Sequence, residues 1–192
     1  SVAEETTDDT VVVAEISSFQ LETIDTFAPK AAAILNITPD HLNRHHTMAN
    51  YIAAKESIVK NQTRDDLCVL NYNDEVLRAF GKTLEQKVVL FSSTETLDAG
   101  LYLQENEILW ARNGKTEHII SVEELNILGA HNYENVMAAV ALCDGMGVPM
   151  ETIREGLRAF HAVEHRIEFV CKKNDIAFYN DSKGTNPDAA IK

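Results

Sequence analysis

Several clusters of side chains in this chain are of types, and at spacings, that could do chemistry. The first is Glu15-Ile16-Ser17-Ser18-Phe19-Gln20, which follows an apolar run. In open α/β sheets ligands gather beyond the carboxyl ends of strands, so an acid there is placed to hold a cation. Magnesium takes few protein carboxylates and keeps water in its remaining positions, so one glutamate is a reasonable share. A strand-ending acid that caps the next helix accounts for Glu15 equally well, and both readings stand open.

The second cluster is Thr38-Pro39-Asp40-His41-Leu42-Asn43-Arg44-His45-His46. His41 and His45 are one helical turn apart, a zinc-like spacing, but no cysteine or paired acid nearby completes a tetrahedron. His45 and His46 are therefore expected in a partly solvated polar loop, while His41 is the histidine placed to share a metal site with Glu15. The third is Tyr51-Ile52-Ala53-Ala54-Lys55, where Lys55 falls on the helical side of Ile52, Ile58 and Val59. A lysine on an apolar face is costly unless it snorkels, is paired or is chemically altered. Snorkelling is the default. The alternative is a neutral amine that reacts with carbon dioxide, which turns a cation into a carboxylate-like ligand beside Glu15 and His41.

Two further stretches suit a nucleotide. In His131-Asn132-Tyr133-Glu134-Asn135 the amides of Asn132 and Asn135 stand near a helix start, able to bond a purine edge. Simple N-capping would account for Asn132 and leave Asn135 over. Residues 179–188, YNDSKGTNPD, form a polar loop between a strand and a helix, rich in groups that gather phosphate oxygens.

The elements that must position these residues follow from hydrophobic pattern. Apolar runs alternating with helical patterns give an α/β fold with a mostly parallel sheet flanked by helices. Strands are expected at 10–16, 32–37, 67–70 and 87–91, and helices at 48–61, 74–80, 132–146 and 149–160. Val136, Ala139, Val140 and Cys143 make the buried stripe expected for the helix at 132–146. Residues 101–120 alternate around polar turns, and Asn113-Gly114 is a two-residue hairpin signal, so a small antiparallel patch is expected there. A second hairpin is expected at 167–179, and a domain boundary near 162–165. The chain begins one element before a core strand and ends one turn into a helix, which reads as a piece of a longer protein.

Composition narrows the class. With 45% hydrophobic and 24% charged residues the chain is an ordinary globular one, not a disordered or fibrous one. A net charge of −13 argues against non-specific nucleic-acid or membrane-surface binding. The first ten residues lack the pattern of a secretory signal, and no apolar run approaches the roughly 20 residues that cross a bilayer. The three cysteines, Cys68, Cys143 and Cys171, are odd in number and widely spaced, and read as small buried hydrophobes in a reducing compartment.

Taken in order, EISSFQLE, LNITPDHLNRH, YIAAKESI, HNYENVMAA, VEHRIE and NDSKGTNPDA resemble the motifs of the Mur ligase family across nearly the whole chain. The last of these most resembles the branch that joins D-glutamate to UDP-N-acetylmuramoyl-L-alanine in the cytoplasm. The resemblance implies a three-domain, ATP-dependent ligase. Residues 1–162 would supply most of its central ATP-binding domain, and 163–192 the start of a Rossmann-like C-terminal domain. It implies magnesium at Glu15, His41 and a carbamylated Lys55, with Ser17 near the muramoyl-alanine substrate. It implies Asn132 and Asn135 at the adenine, and Arg166 and Asp181 at ATP phosphate and ribose. Lys183 and Thr185 would lie near the phosphate and the incoming glutamate, so that Lys55, His41 and Lys183 form the catalytic set. The family's phosphate loop GxxGK[ST] is absent from these residues, so the chain alone is expected to be inactive. A monomer acting on small molecules is implied. A relative with another acceptor, a folylpolyglutamate-type ligase and a non-catalytic nucleotide-binding module are the alternatives.

Overall fold

The computed structural model describes residues 6–7, 9–161 and 168–182. The sheet has six strands in the order β1 (Ala31–Ile34), β2 (Leu67–Asn71), β3 (Lys87–Ser92), β4 (Gly100–Gln104), β5 (Glu107–Arg112) and β6 (Lys115–Ser121). Neighbours from β1 to β4 run parallel, and β4–β5 and β5–β6 are antiparallel. This is the expected mostly parallel sheet with its antiparallel patch.

β2 lies at the centre of the packing. All five of its residues are buried, and its side chains alternate between two layers. Leu67 and Val69 join Phe91, Leu101, Ile108 and Ile120 against α5 (Ala130–Gly145) and α6 (Met150–Ala159). Cys68 and Leu70 face the other way, with Ala32 and Ile34 of β1, Tyr51 of α3 (Met48–Glu56) and Leu77 of α4 (Glu75–Gly81). A single-turn 3-10 segment, Ser57–Val59, continues α3. Burial pushes the Cys68 thiol up to about 12. Cys143 is only half-buried and Cys171 is exposed, so of the three cysteines only Cys68 is the buried hydrophobe expected.

The hairpin turns follow their residues. Asn113 and Gly114 both take positive φ, 54° and 70°, as do Glu105 and Asn106 at 49° and 67°. These are the mirror-image turns that match strand twist. The pair β7 (Glu168–Lys173) and β8 (Ile176–Asn180) turns the same way at Asn174-Asp175. The domain boundary expected near 162–165 lies outside the described residues.

Three expectations about the elements are corrected. Residues 10–16 form no strand, and Val11, Val12 and Val13 are 62%, 69% and 92% exposed. High β-propensity expresses fit to a pleated, paired surface, and no described residue pairs with this run. On α5, Ala139 is exposed and Cys143 half-buried; Val136, Met137, Val140 and Ala141 carry the burial, a face rotated towards the sheet. On α3 the buried positions are Tyr51 and Ala54, followed by Val59, while Ile52, Lys55 and Ile58 lie at the half-buried flank.

Two predictions arise from the sheet. Gly100 opens β4 at φ +135°, and a Cβ there would run into the backbone carbonyl oxygen of Leu90. Gly100→Ala is expected to cost roughly 2 kcal/mol or more, read as a lower urea midpoint with the same slope. At the opposite end of β2, Asp66 accepts the Thr63 N–H (2.7 Å), the Thr63 hydroxyl (2.9 Å) and the Lys30 ammonium (3.1 Å). These bonds, the Thr63 N–H first, hold its carboxyl at about 2, below the unperturbed 3.8. A depressed carboxyl stabilises the fold fully above its unfolded value and ceases to do so as pH falls through the folded one. Asp66→Asn is therefore expected to flatten the fall of stability between about pH 4 and pH 2, measured by denaturant titration across that range.

Candidate functional site

Parallel strands present their carboxyl ends on one edge of the sheet, and two polar clusters lie beyond those ends. The first gathers around His45. Ser17 caps α1 (Ser18–Leu21): its Oγ accepts the Gln20 N–H, and Gln20 Oε1 accepts the Ser17 N–H in return. A second short helix, α2 (Leu42–His45), starts at His41 in the left-handed region, φ 53°. Its last residue, His45, is 3% exposed. The imidazole Nδ1 lies 3.1 Å from Glu22 Oε1, and Nε2 lies 3.0 Å from Ser18 Oγ. A carboxylate only accepts, so Nδ1 carries the proton, and in the neutral ring Nε2 accepts from the serine hydroxyl. Arg44 donates to Glu22 Oε2 at 2.7 Å and holds that carboxyl below the usual range.

Rings complete the cluster. Phe19 stacks on His45 at 5.5 Å and tilts against His41 at 4.8 Å, while Tyr51 meets His45 at 5.4 Å. The Lys55 ammonium lies over the Tyr51 ring at 5.5 Å, and burial raises the tyrosine's pKa. The segments that carry Glu15, Ser17, His41 and Lys55 are thus tied around one buried imidazole. His45 is not in the partly solvated loop expected of it. The apolar Phe19 and Tyr51 flank it, and its two ring nitrogens answer Ser18 and Glu22, contacts between segments far apart in sequence.

The individual candidates are placed as follows. Glu15 is exposed, in the non-strand stretch ahead of α1 and not at a strand end. Ser17 is exposed, and its hydroxyl also donates to Gln20 Oε1 at 2.9 Å. The His41 side chain is about half exposed, 3.4 Å from Asp40 Oδ2. Lys55 is half-buried, and its contact with Tyr51 suits an ammonium, so a carbamate there would replace that contact. Among the described residues no group of three His, Cys, Asp or Glu stands close enough to hold a metal. A glutamate, a histidine and a modified lysine would fit only an ion that draws its remaining ligands from water and phosphate, which is magnesium's habit. Asp181 is exposed just past β8. Arg166, Lys183 and Thr185 lie outside the described residues.

The second cluster joins α5 to the strand ends. Gly129, at φ 100°, is the N-cap of α5, so Asn132 is not the cap; its Nδ2 donates to the Leu128 carbonyl at 2.7 Å. Asn135, one turn on, is exposed. Between them Glu134 accepts from Asn71 Nδ2 (3.1 Å), Ser93 Oγ (2.5 Å) and Asn73 Nδ2 (3.4 Å). Asn71 Nδ2 also donates to the Leu35 carbonyl just past β1 (3.0 Å), and Ser92 Oγ donates to Asn73 Oδ1 (2.5 Å). Sequence reasoning passed over these residues. The signal was present in the polar residues that end two apolar runs, Asn71 after LCVL and Ser92-Ser93 after VVLF.

The architecture is that of an open α/β domain with its polar clusters beyond the strand ends, and the comparisons with known proteins make the class specific. Residues 1–143 match the Mur ligase middle domain, and the chain belongs to the Mur ligase family. It is 55% identical over 186 residues to a UDP-N-acetylmuramoylalanine–D-glutamate ligase of Lachnoclostridium phytofermentans, covering 97% of this chain and 41% of that protein. A protein of the same description from Clostridioides difficile is 47% identical over 98% of this chain and 42% of its own length. The chain therefore spans about two fifths of the length of these curated relatives. Among solved structures, MurF from Acinetobacter baumannii aligns at a TM-score of 0.63 with 22% identity, over 85% of this chain and 36% of that one. The MurC enzyme of Thermotoga maritima aligns at 0.62 with 25% identity, over 90% and 38%.

The buried imidazole generates a stability prediction. His45→Ala removes its hydrogen bonds and ring contacts, and is expected to cost about 3 kcal/mol. Ser18→Ala is expected to cost about 1 kcal/mol, and the double variant less than the sum, because both lose the same bond. Denaturant unfolding of the four proteins measures this; strict additivity would contradict the bond.

Proposed function

We propose that this chain is the central part of a longer, ATP-dependent ligase that joins D-glutamate to UDP-N-acetylmuramoyl-L-alanine in peptidoglycan precursor synthesis. The observation that carries the reading is the 55% identity, over nearly all of this chain, to a relative named for that reaction. An ADP complex of a related ligase from Thermotoga maritima, a MurF enzyme with the same fold at a TM-score of 0.60, supports the nucleotide. The substrates are small molecules. A cytoplasmic monomer without nucleic-acid or membrane partners is the accompanying reading, and no described helix is long and apolar enough to cross a membrane.

In the proposed reaction the alanine carboxylate attacks the terminal phosphate of ATP, the bond to the bridging oxygen breaks, and an acyl phosphate and ADP result. The D-glutamate amine then attacks the activated carbonyl and phosphate leaves. Both partners of the first step are anions, and the chain itself is acidic at −13, so alignment and charge neutralisation are the main tasks. Magnesium, when bound, would supply that neutralisation, held by Glu15, His41 and a carbamylated Lys55. The His45 cluster keeps the segments bearing these residues and Ser17 in one neighbourhood, so that Ser17 can face the muramoyl-alanine group. Asn132 and Asn135 offer amides to the adenine edge. Arg166 and Asp181 would meet the ATP phosphate and ribose, and Lys183 and Thr185 the transferred phosphate and the glutamate.

Lys55→Ala in the full-length enzyme is expected to lower ligation at least about 100-fold, with partial recovery on adding a short-chain carboxylic acid in place of the missing carbamate. Phosphate release with D-glutamate as acceptor measures both. Normal turnover in Lys55→Ala would remove the carbamate from the reading. Comparing D-glutamate with L-glutamate, L-lysine and diaminopimelate tests the acceptor, and a preference for any of the latter three would overturn it.

A further inference from the structure

We propose that Glu134 is a positioning residue for nucleotide recognition. It clamps the first turns of α5 to the ends of β2 and β3, and so sets where Asn132 and Asn135 present their amides. The proposal rests on the reading that those two asparagines meet the adenine.

Three observations converge on it. The first is the way α5 begins. Its N-cap is Gly129, which supplies no side-chain cap, and its fully buried apolar positions start only at Val136. Cap chemistry therefore does not fix the rotation of the opening turns, and their hold on the core is the half-buried Tyr133, ahead of the fully packed positions. The second is the Glu134 carboxylate itself. It takes hydrogen bonds from Asn71, Asn73 and Ser93, which stand at or just past the ends of β2 and β3.

Those donors are themselves tied down. Asn71 is 4% exposed, donates to the Leu35 carbonyl, and accepts the Asn73 N–H at 2.9 Å. Asn73 accepts from Ser92, whose Oγ in turn accepts the N–H groups of Thr94 (3.2 Å) and Glu95 (2.8 Å). The carboxylate is thus wired to a rigid frame. Hydrogen bonds to a charged acceptor are about twice as strong as neutral ones.

The third observation is angular. Residues three apart share one helix face, so Asn132 and Asn135 are neighbours, while Glu134 projects from a different side of the cylinder. Asn135 is exposed while Glu134 reaches the strand ends. A turn held on one side by a carboxylate presents its other side at a fixed angle. Loss of the clamp would let the turn rotate or fray, and amides that must meet a flat base edge would lose their alignment. The muramoyl-alanine side, tied around His45, would not.

The test uses the full-length enzyme with Glu134→Ala, Glu134→Gln and Ser93→Ala, and with Asn135→Ala as the control on the adenine reading. ADP and GDP binding are measured by calorimetry, and KM for ATP and for the UDP-linked substrate by steady-state kinetics. Glu134→Ala is expected to weaken ADP binding and raise KM for ATP about ten-fold, and to narrow the preference for ADP over GDP. Its kcat and its KM for the UDP-linked substrate should stay within about two-fold. Glu134→Gln keeps one acceptor oxygen and should recover part of the loss. Ser93→Ala removes one donor from outside the helix and should shift ADP binding in the same direction, about three-fold, which keeps the test open if Glu134→Ala does not fold. Uniform loss in kcat and in every KM would overturn the proposal, since that is the mark of a general structural defect. If Asn135→Ala weakens ADP binding while the Glu134 and Ser93 variants leave it unchanged, the proposal alone falls. If Asn135→Ala itself changes nothing, the adenine assignment falls and takes the proposal with it.

Discussion

The burial of β2 on both faces is the constraint on which the rest of the molecule depends. Leu67, Cys68, Val69, Leu70 and Asn71 alternate between two helical layers, all five are buried, and the middle three are wholly shielded from water. A strand covered on both sides has no polar face, so polar groups near it collect at its ends. At the entry end Asp66 takes three hydrogen bonds. At the exit end Asn71 begins a network that reaches the neighbouring strand ends and α5. The chemistry of the edge is therefore a consequence of the dryness of the middle.

The two clusters beyond the strand ends solve the same problem by different means. Short helices such as α1 and α2 are too brief to be stable alone, since most helical stability comes from packing. Here they are held by a ring that donates from one nitrogen, accepts at the other and has aromatic neighbours on its sides. The long helix α5 has ample apolar contact further along, and only its opening turns need a polar tie. In both cases a buried polar group is satisfied by partners distant in sequence, so each cluster specifies one arrangement of the chain.

Much of the sheet was legible in the residues, because strands and helices declare themselves by local period. LCVL, VVLF and the alternating stretch ending at Ile120 lie where their patterns place them, and Asn113-Gly114 turns as its residue types require. The failures share a cause. Val11–Val13 has the composition of a core strand, but pairing is a property of neighbours and not of the run itself. The inward face of α3 was misjudged by one position, enough to put Tyr51 and not Lys55 at its centre. His45 looked like one of two loop histidines, with His46, because its partners, Ser18, Glu22 and Phe19, are more than twenty residues away. The motif residues were visible by resemblance, while the groups that hold them in place were not. Glu134 lies inside HNYENVMAA and Ser93 just past an apolar run, but nothing local says that the two meet.

Cys68 has a consequence of its own. Its sulfur lies between the α3–α4 layer and the sheet, with 0% exposure, and burial keeps it from ionising at ordinary pH. Cys171, on the β7–β8 hairpin, is open to solvent. An alkylating reagent would therefore meet two very different clocks in one polypeptide. It would mark the hairpin cysteine at the pace of the reagent, and the central one only as fast as the molecule comes apart.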